Sequence, residues 1–190
     1  SRIKALFENI HVNCIYSKDS PDYSFSPDLC TVLNLHFSSD NENTSVYDCM
    51  DRMLLPQQMN DDGKWFNDKT NTYETAEKKM IIWKFPQLLV LCLQRFNLDG
   101  TKNNKRVHFP LVLDVRKYAE GYIQTEYIYD LVGVCNHVGR PQFGHYTAFV
   151  KAEDTWFHCD DDVIQIVDNE DYLVSQNAYC LFYVKKNNPL

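Results

Sequence analysis

From Ile81 onward the chain is strand-rich, a succession of short apolar runs cut by turn signals, and this pattern narrows its fold more than any other feature. "LLVLCLQRF" (88–96) is an apolar run bounded by Pro86 and the turn-rich "NLDGTKNN", as expected of a buried strand. "YIYDLVGVCNHV", "HYTAFVK", "TWFHCD", "VIQIV" and "AYCLFYVKK" follow, interrupted only by "DNEDYLVSQN", which reads as a short helix or turn. Short links favour antiparallel pairing, because a parallel connection needs a crossover of about a dozen residues or more. The expected architecture is an antiparallel sheet or half-barrel with few helices.

The earlier part of the chain is mixed. Leu35 and Phe37 alternate with polar neighbours as in a short strand. Val46, Met50, Met53 and Leu54 recur at helical spacing behind Thr44 and Ser45, predicting a short amphipathic helix that Pro56 stops. "NDDGKWFNDKTNTYETAEKKM" is polar, turns at Asp62-Gly63, and reads as an exposed ribbon or loop.

With 190 residues, 44% of them apolar, the chain has room for one ordinary domain and its core. Nineteen basic against 26 acidic residues, a formal charge of −7, argue against nucleic acid or an anionic membrane and suit a basic or neutral partner. No apolar run approaches the length of a membrane span, and "SRIKALFENIHVN" lacks the apolar core of a signal peptide. The seven cysteines form no C-x-x-C pair, and their odd number and scatter read as reduced thiols of an intracellular protein, cytoplasmic or nuclear.

The chemistry concentrates in "QFGHYTAFVKAEDTWFHCDDD" (142–162). His145 follows Gly144 at the head of one strand-like run, and aspartates end the next. A hairpin across "AEDT" would return Asp160 or Asp161 to the side of His145. A carboxylate there fixes the imidazole tautomer and stabilises the imidazolium formed when the other ring nitrogen takes a proton. Strand alternation allows only one of the two aspartates to lean on the ring directly. A satisfied core histidine beside a solvated acidic turn is the alternative, and it would leave His145 and Asp160 beyond hydrogen-bond reach.

"VGVCNHVGRPQFGHYTAFVKAEDTWFHCDDDVIQIV" resembles the histidine box of the ubiquitin-specific proteases. "WKFPQLLVLCLQRFN", "KRVHFPLVLDV", "AYCLFYVKK" and "ALFENIHVNC" are similar to other segments of that family, in the same order. The resemblance implies an α+β fold of the papain-like cysteine protease superfamily, mainly antiparallel β palm and fingers with few short helices. Residues 1–85 would form the fingers region and a helix, and 86–190 the palm with the histidine box, one portion of a catalytic domain. His145 matches the general base, Asp160 the orienting acid, and Asp161 a second acidic position as helper or substitute. Asn136 and His137 fall at a matched loop position with a packing role. "VGRPQFG" would be the flexible segment beside the channel for ubiquitin's C-terminal tail, stiffened by Phe143, so that Phe143, Gly144 and Tyr146 would meet the substrate.

Two departures from the family matter. Its fingers are often tied by zinc on two cysteine pairs, but Asn67 and Thr70 stand at one pair, and at the other Cys14 keeps one ligand while Ser17 takes the remaining place. No metal and no cofactor are therefore expected, and the fingers would rely on apolar packing around Trp65, Phe66 and Tyr73. The family's nucleophilic cysteine opens a helix in an N-terminal half, and nothing here matches its pattern. Cys49 falls inside the expected helix and Cys159 reads as a core thiol. The resemblance thus implies a deubiquitinating cysteine protease portion that binds ubiquitin and ubiquitinated proteins, with the nucleophile supplied by an N-terminal half. The alternative is a catalytically inactive ubiquitin-binding or scaffold protein of the same fold.

Overall fold

The computed structural model describes residues 2–37, 44–121, 127–141 and 143–186. A short helix, α1 (Arg2–Phe7), leads into the hairpin β1 (Asn9–Ser17) and β2 (Tyr23–Cys30), then β3 (Leu33–Leu35) and β4 (Thr44–Ser45). Helix α2 (Val46–Met53) precedes β5 (Gln57–Met59), the hairpin β6 (Trp65–Asn67) and β7 (Thr72–Glu74), and β8 (Ala76–Lys84). The remaining strands are β9 (Leu88–Leu93), β10 (Val107–His108), β11 (Val112–Asp114), β12 (Ile128–Arg140), β13 (Phe143–Ala152), β14 (Thr155–Asp160), β15 (Val163–Ile166) and β16 (Ala178–Lys185).

Two sheets organise the chain. The larger runs β15-β14-β13-β12-β16-β9-β3, with β11 also paired to β12; all of its neighbours are antiparallel except β3 and β9. A four-stranded sheet runs β2-β1-β8-β5, and the β6–β7 hairpin stands apart from both. The mainly antiparallel β architecture matches the sequence reading, and "DNEDYLVSQN" supplies a 3₁₀ turn, Glu170–Leu173.

Helix α2 forms where the apolar spacing places it. Ser45 caps it, accepting from the Asp48 N–H, while the Asp48 carboxylate accepts from the Ser45 N–H at 2.8 Å, a reciprocal capping box. Val46, Cys49 and Met50 face the core at positions i, i+3 and i+4. There they join Leu35, Leu89, Leu91, Leu131, Leu181 and Tyr183, all fully or almost fully buried. Each such apolar side chain contributes roughly 1.5–3 kcal/mol by leaving water.

The polar stretch after Asn60 is more ordered than its composition predicts. It contains a 3₁₀ turn at Asp61–Gly63 and the β6–β7 hairpin, and β8 begins at Ala76 rather than Ile81. Asn67 and Glu74, which read as loop residues, are buried. Asn136 and His137 likewise lie on β12 rather than in a loop, paired with Thr147 and Tyr146 of β13. "VGRPQFG" is mostly strand: Arg140 pairs with Phe143, Gly139 takes the left-handed φ of +105° that the tight reversal needs, and Gln142 falls outside the described residues.

Candidate active site

The β13–β14 hairpin brings His145 and Asp160 together. Cys159 stands opposite Ala148, so Asp160, one residue further along β14, reaches back toward the head of β13 where His145 lies. His145 Nε2 and Asp160 Oδ1 are 2.5 Å apart. That distance excludes the reading in which the two lie beyond hydrogen-bond reach. With Nε2 engaged, Nδ1 is the ring nitrogen left to exchange a proton with another group. The hydrogen bond and charge of Asp160 hold the imidazole above its ordinary pKa, with a smaller contribution from Asp161.

Asp161 does not continue the strand. Its φ of +49° places it in the left-handed region, at the turn between Asp160 and its partner Val163. One carboxylate oxygen of Asp161 still lies within 4.8 Å of a ring nitrogen of His145 and a carboxylate oxygen of Asp160. The pair borders a cavity of about 640 Å³ shared with Asn136, Thr147, His158 and Gln165. Among the described residues, no cysteine lines this cavity. The thiols of Cys14, Cys49 and Cys92 are buried, and burial pushes Cys49 up to about 11.

Behind the histidine lies a packed floor. His137 is buried, its ring 4.8 Å from that of Tyr146, and a Cβ added to Gly144 would come within 2.0 Å of His137 Nε2. Gly144 is thus a contact for His137, which explains the glycine physically. Burial and the nearby Lys102, whose Nζ donates to the His137 carbonyl at 2.6 Å, push the His137 ring toward its neutral form. The residues expected to meet substrate are open to solvent: Phe143 is 83% exposed and Tyr146 54%. The signal for the floor was the "NH" dipeptide at 136–137, whose partner strand was not evident until the register was known.

The place of the implied zinc is occupied by other chemistry. Ser17 and Ser20 from the β1–β2 turn face Asn67 and Thr70 from the β6–β7 hairpin, each pair with the x-x spacing of a zinc knuckle. Between them sits the Glu74 carboxylate. Ser17 Oγ donates to it at 2.5 Å, Thr70 Oγ1 at 2.6 Å, Ser20 Oγ at 2.8 Å and Asn67 Nδ2 at 3.0 Å. These bonds, Ser17 first, lower the Glu74 pKa to about 2. Hydroxyl and amide donors turned toward a central carboxylate do not fit a zinc ion. Cys14 is no part of the cluster: it is buried in β1, near the Val12 carbonyl, with its thiol pushed up by burial. The β6–β7 hairpin therefore rests on a polar clasp and not on the expected apolar packing; Phe66 and Tyr73 meet edge to face at 5.1 Å but remain exposed.

The family model described as ubiquitin carboxyl-terminal hydrolase matches residues 3–183. The chain is 35% identical over 171 residues to ubiquitin carboxyl-terminal hydrolase 9 of Arabidopsis thaliana, covering 85% of this chain and 19% of that protein. It is 31% identical over 163 residues to probable ubiquitin carboxyl-terminal hydrolase 1 of Schizosaccharomyces pombe, covering 77% and 19%. The chain thus spans about a fifth of the length of these relatives. Among solved structures, a chain of the yeast SAGA DUB module superposes with a TM-score of 0.83 at 27% identity, over 98% of this chain and 42% of the other. A chain of the SAGA DUB module bound to monoubiquitin superposes with a TM-score of 0.81 at the same identity.

Proposed function

The chain belongs to the ubiquitin carboxyl-terminal hydrolase family, and from that premise we propose that it is the ubiquitin-binding, His/Asp-bearing portion of a deubiquitinating cysteine protease domain. The four-stranded sheet and the β6–β7 hairpin form the fingers, and the larger sheet forms the palm. The observation that carries this reading is the 2.5 Å contact between His145 Nε2 and Asp160 Oδ1, which leaves Nδ1 directed away from the carboxylate.

In this reading Asp160 holds the imidazole with Nδ1 free to accept. His145 takes the proton of a cysteine thiol supplied from outside this chain, and the sulfur attacks the carbonyl carbon of ubiquitin's last glycine. The tetrahedral intermediate collapses to a thioester as His145 gives the proton to the departing amine; His145 then takes a proton from water, whose oxygen attacks the thioester carbonyl, releasing ubiquitin's carboxylate and, with that proton returned to sulfur, the thiol. Asp161 adds negative charge beside the imidazolium. Phe143, Gly144 and Tyr146, at the open head of β13, border the path of the ubiquitin tail. Exposed apolar side chains on either side of His145, Val138 and Phe143 among them, support a further protein surface closing over the site.

The test is hydrolysis of a ubiquitin C-terminal fluorogenic amide by the complete catalytic domain. His145→Ala should reduce turnover by at least about 10³-fold while ubiquitin binding persists. Undiminished turnover in that variant would overturn the base assignment. Ubiquitin binding with no turnover in the unsubstituted domain would establish the inactive-binder reading.

A further inference from the structure

A cysteine–histidine–aspartate set stands on the four-stranded sheet, on different strands and in a different sheet from the His145–Asp160 pair. We propose that Cys30 is a covalent modification site for small α,β-unsaturated carbonyl compounds, with His11 as its base and Asp28 as the group that orients that base.

The strand register builds the set. His11 on β1 lies directly opposite Asp28 on β2, and Asn9 opposite Cys30, so side chains two residues apart on each strand share one face. His11 Nε2 is 3.3 Å from Asp28 Oδ2, and His11 Nδ1 is 3.6 Å from Cys30 Sγ. In the tautomer with the proton on Nε2, the ring N–H faces the Asp28 carboxylate and Nδ1 presents its lone pair to the thiol. A backbone N–H, that of Val32, also points at the sulfur and favours its anionic form.

Cys30 and His11 open onto a cavity of about 630 Å³, within the size range of small-molecule sites. Met53 and Met80 supply apolar wall, and Arg52 and Lys78 supply positive charge. Burial first, and then Asp28, push the Cys30 thiol up, so it is not a standing thiolate. Reaction therefore needs a base at the moment of attack, and His11 is placed to be that base. As sulfur bonds to the β-carbon of the electrophile, the carbon–carbon π pair moves to the α-carbon and the thiol proton passes to His11 Nδ1. Return of that proton to the α-carbon completes the addition, leaves no group to expel and restores neutral His11.

The experiment is timed exposure of the intact protein to acrylamide, followed by peptide mapping of each cysteine by mass spectrometry. Cys30 should be modified at least about tenfold faster than Cys135, Cys159 or Cys180, which are half-buried too. His11→Gln should slow Cys30 alone by at least about tenfold, and Asp28→Asn by a smaller factor. Cys30 reacting no faster than the other three, or an unchanged rate in His11→Gln, would overturn the proposal. Should His11→Gln unfold the sheet and raise all the rates, Asp28→Asn decides: the Asp28 side chain is 65% exposed, and losing its charge also removes a cause that raises the Cys30 thiol, so a slower Cys30 can come only from the lost orientation of His11. An unchanged Cys30 rate in that variant would overturn the proposal as well.

Discussion

Gly144 lies so close to His137 that a Cβ at position 144 would meet the imidazole Nε2 at 2.0 Å. The ring cannot retreat easily, because it also packs against Phe96 at 5.2 Å and Tyr146 at 4.8 Å between ring centres. Gly144→Ala should therefore destabilise the fold by about 2 kcal/mol, as overpacked sites do. It should also move the head of β13, and with it His145. Urea unfolding checks the first effect; the second would show as a fall in the His145 pKa. A substitution neutral in both measurements would contradict this packing.

The His145–Asp160 pair predicts a definite titration. Asp160 favours the imidazolium, so the folded-state pKa lies above the ordinary histidine value near 6.5. A raised histidine pKa contributes stability that is fully present below the unfolded value and is lost as pH rises through the folded one. Asp160→Asn should bring the ring back toward 6.5, by less than the full shift because Asp161 remains. Proton NMR of the ring C–H signals measures both. No change on substitution would show that the contact at 2.5 Å does not persist in solution.

What could be read from sequence divides along physical lines. The run at 88–96 and the strands after it announced the large sheet, because a buried strand shows its apolar character in every residue. The four-stranded sheet did not announce itself. Strand β2 carries Pro27 and is almost wholly exposed, and most of β1 is only half-buried, so neither shows a clean alternation. His145 and Asp160 were legible through the histidine-box resemblance, whereas the hairpin that pairs them became definite only with the register of β13 and β14. The Glu74 clasp was invisible because serine, asparagine, threonine and glutamate in turns read as solvated loop. Only three-dimensional convergence of two distant hairpins shows that their hydrogen bonds are internal.

That clasp should be sensitive to acid and indifferent to chelators. The Glu74 pKa is depressed to about 2, so its contribution is present above the unfolded value near 4.3 and is lost as pH falls toward 2. Glu74→Gln removes the acceptor charge and turns a donor toward donors. It should lower the melting temperature by roughly 5 °C at neutral pH and flatten the acid limb of the stability curve. Melting curves with and without EDTA should coincide, and elemental analysis should find no stoichiometric zinc. A chelator-induced drop in melting temperature would show that a metal takes part after all.

Arg95 predicts the most severe loss. Its guanidinium is fully buried, and it meets backbone carbonyls rather than a carboxylate: Nε donates to the Ala178 carbonyl at 2.6 Å, and Nη1 to those of Asn103 and Lys105 at 3.0 and 2.7 Å. Burial lowers its pKa to about 10, which still leaves it charged at neutral pH. The ring of Phe37 lies 5.3 Å from the guanidinium carbon and shares its charge. This side chain ties the end of β9 to the start of β16 and to the segment at 103–105. Arg95→Met keeps much of the volume but leaves three carbonyls without their donor, and should cost on the order of 3 kcal/mol or more. Arg95→Lys should recover only part of that, because a single ammonium cannot span the positions reached by the guanidinium fork. Denaturant unfolding of both variants ranks them, and equal stability of Arg95→Lys and the parent would show that the fork geometry is not what holds these segments together.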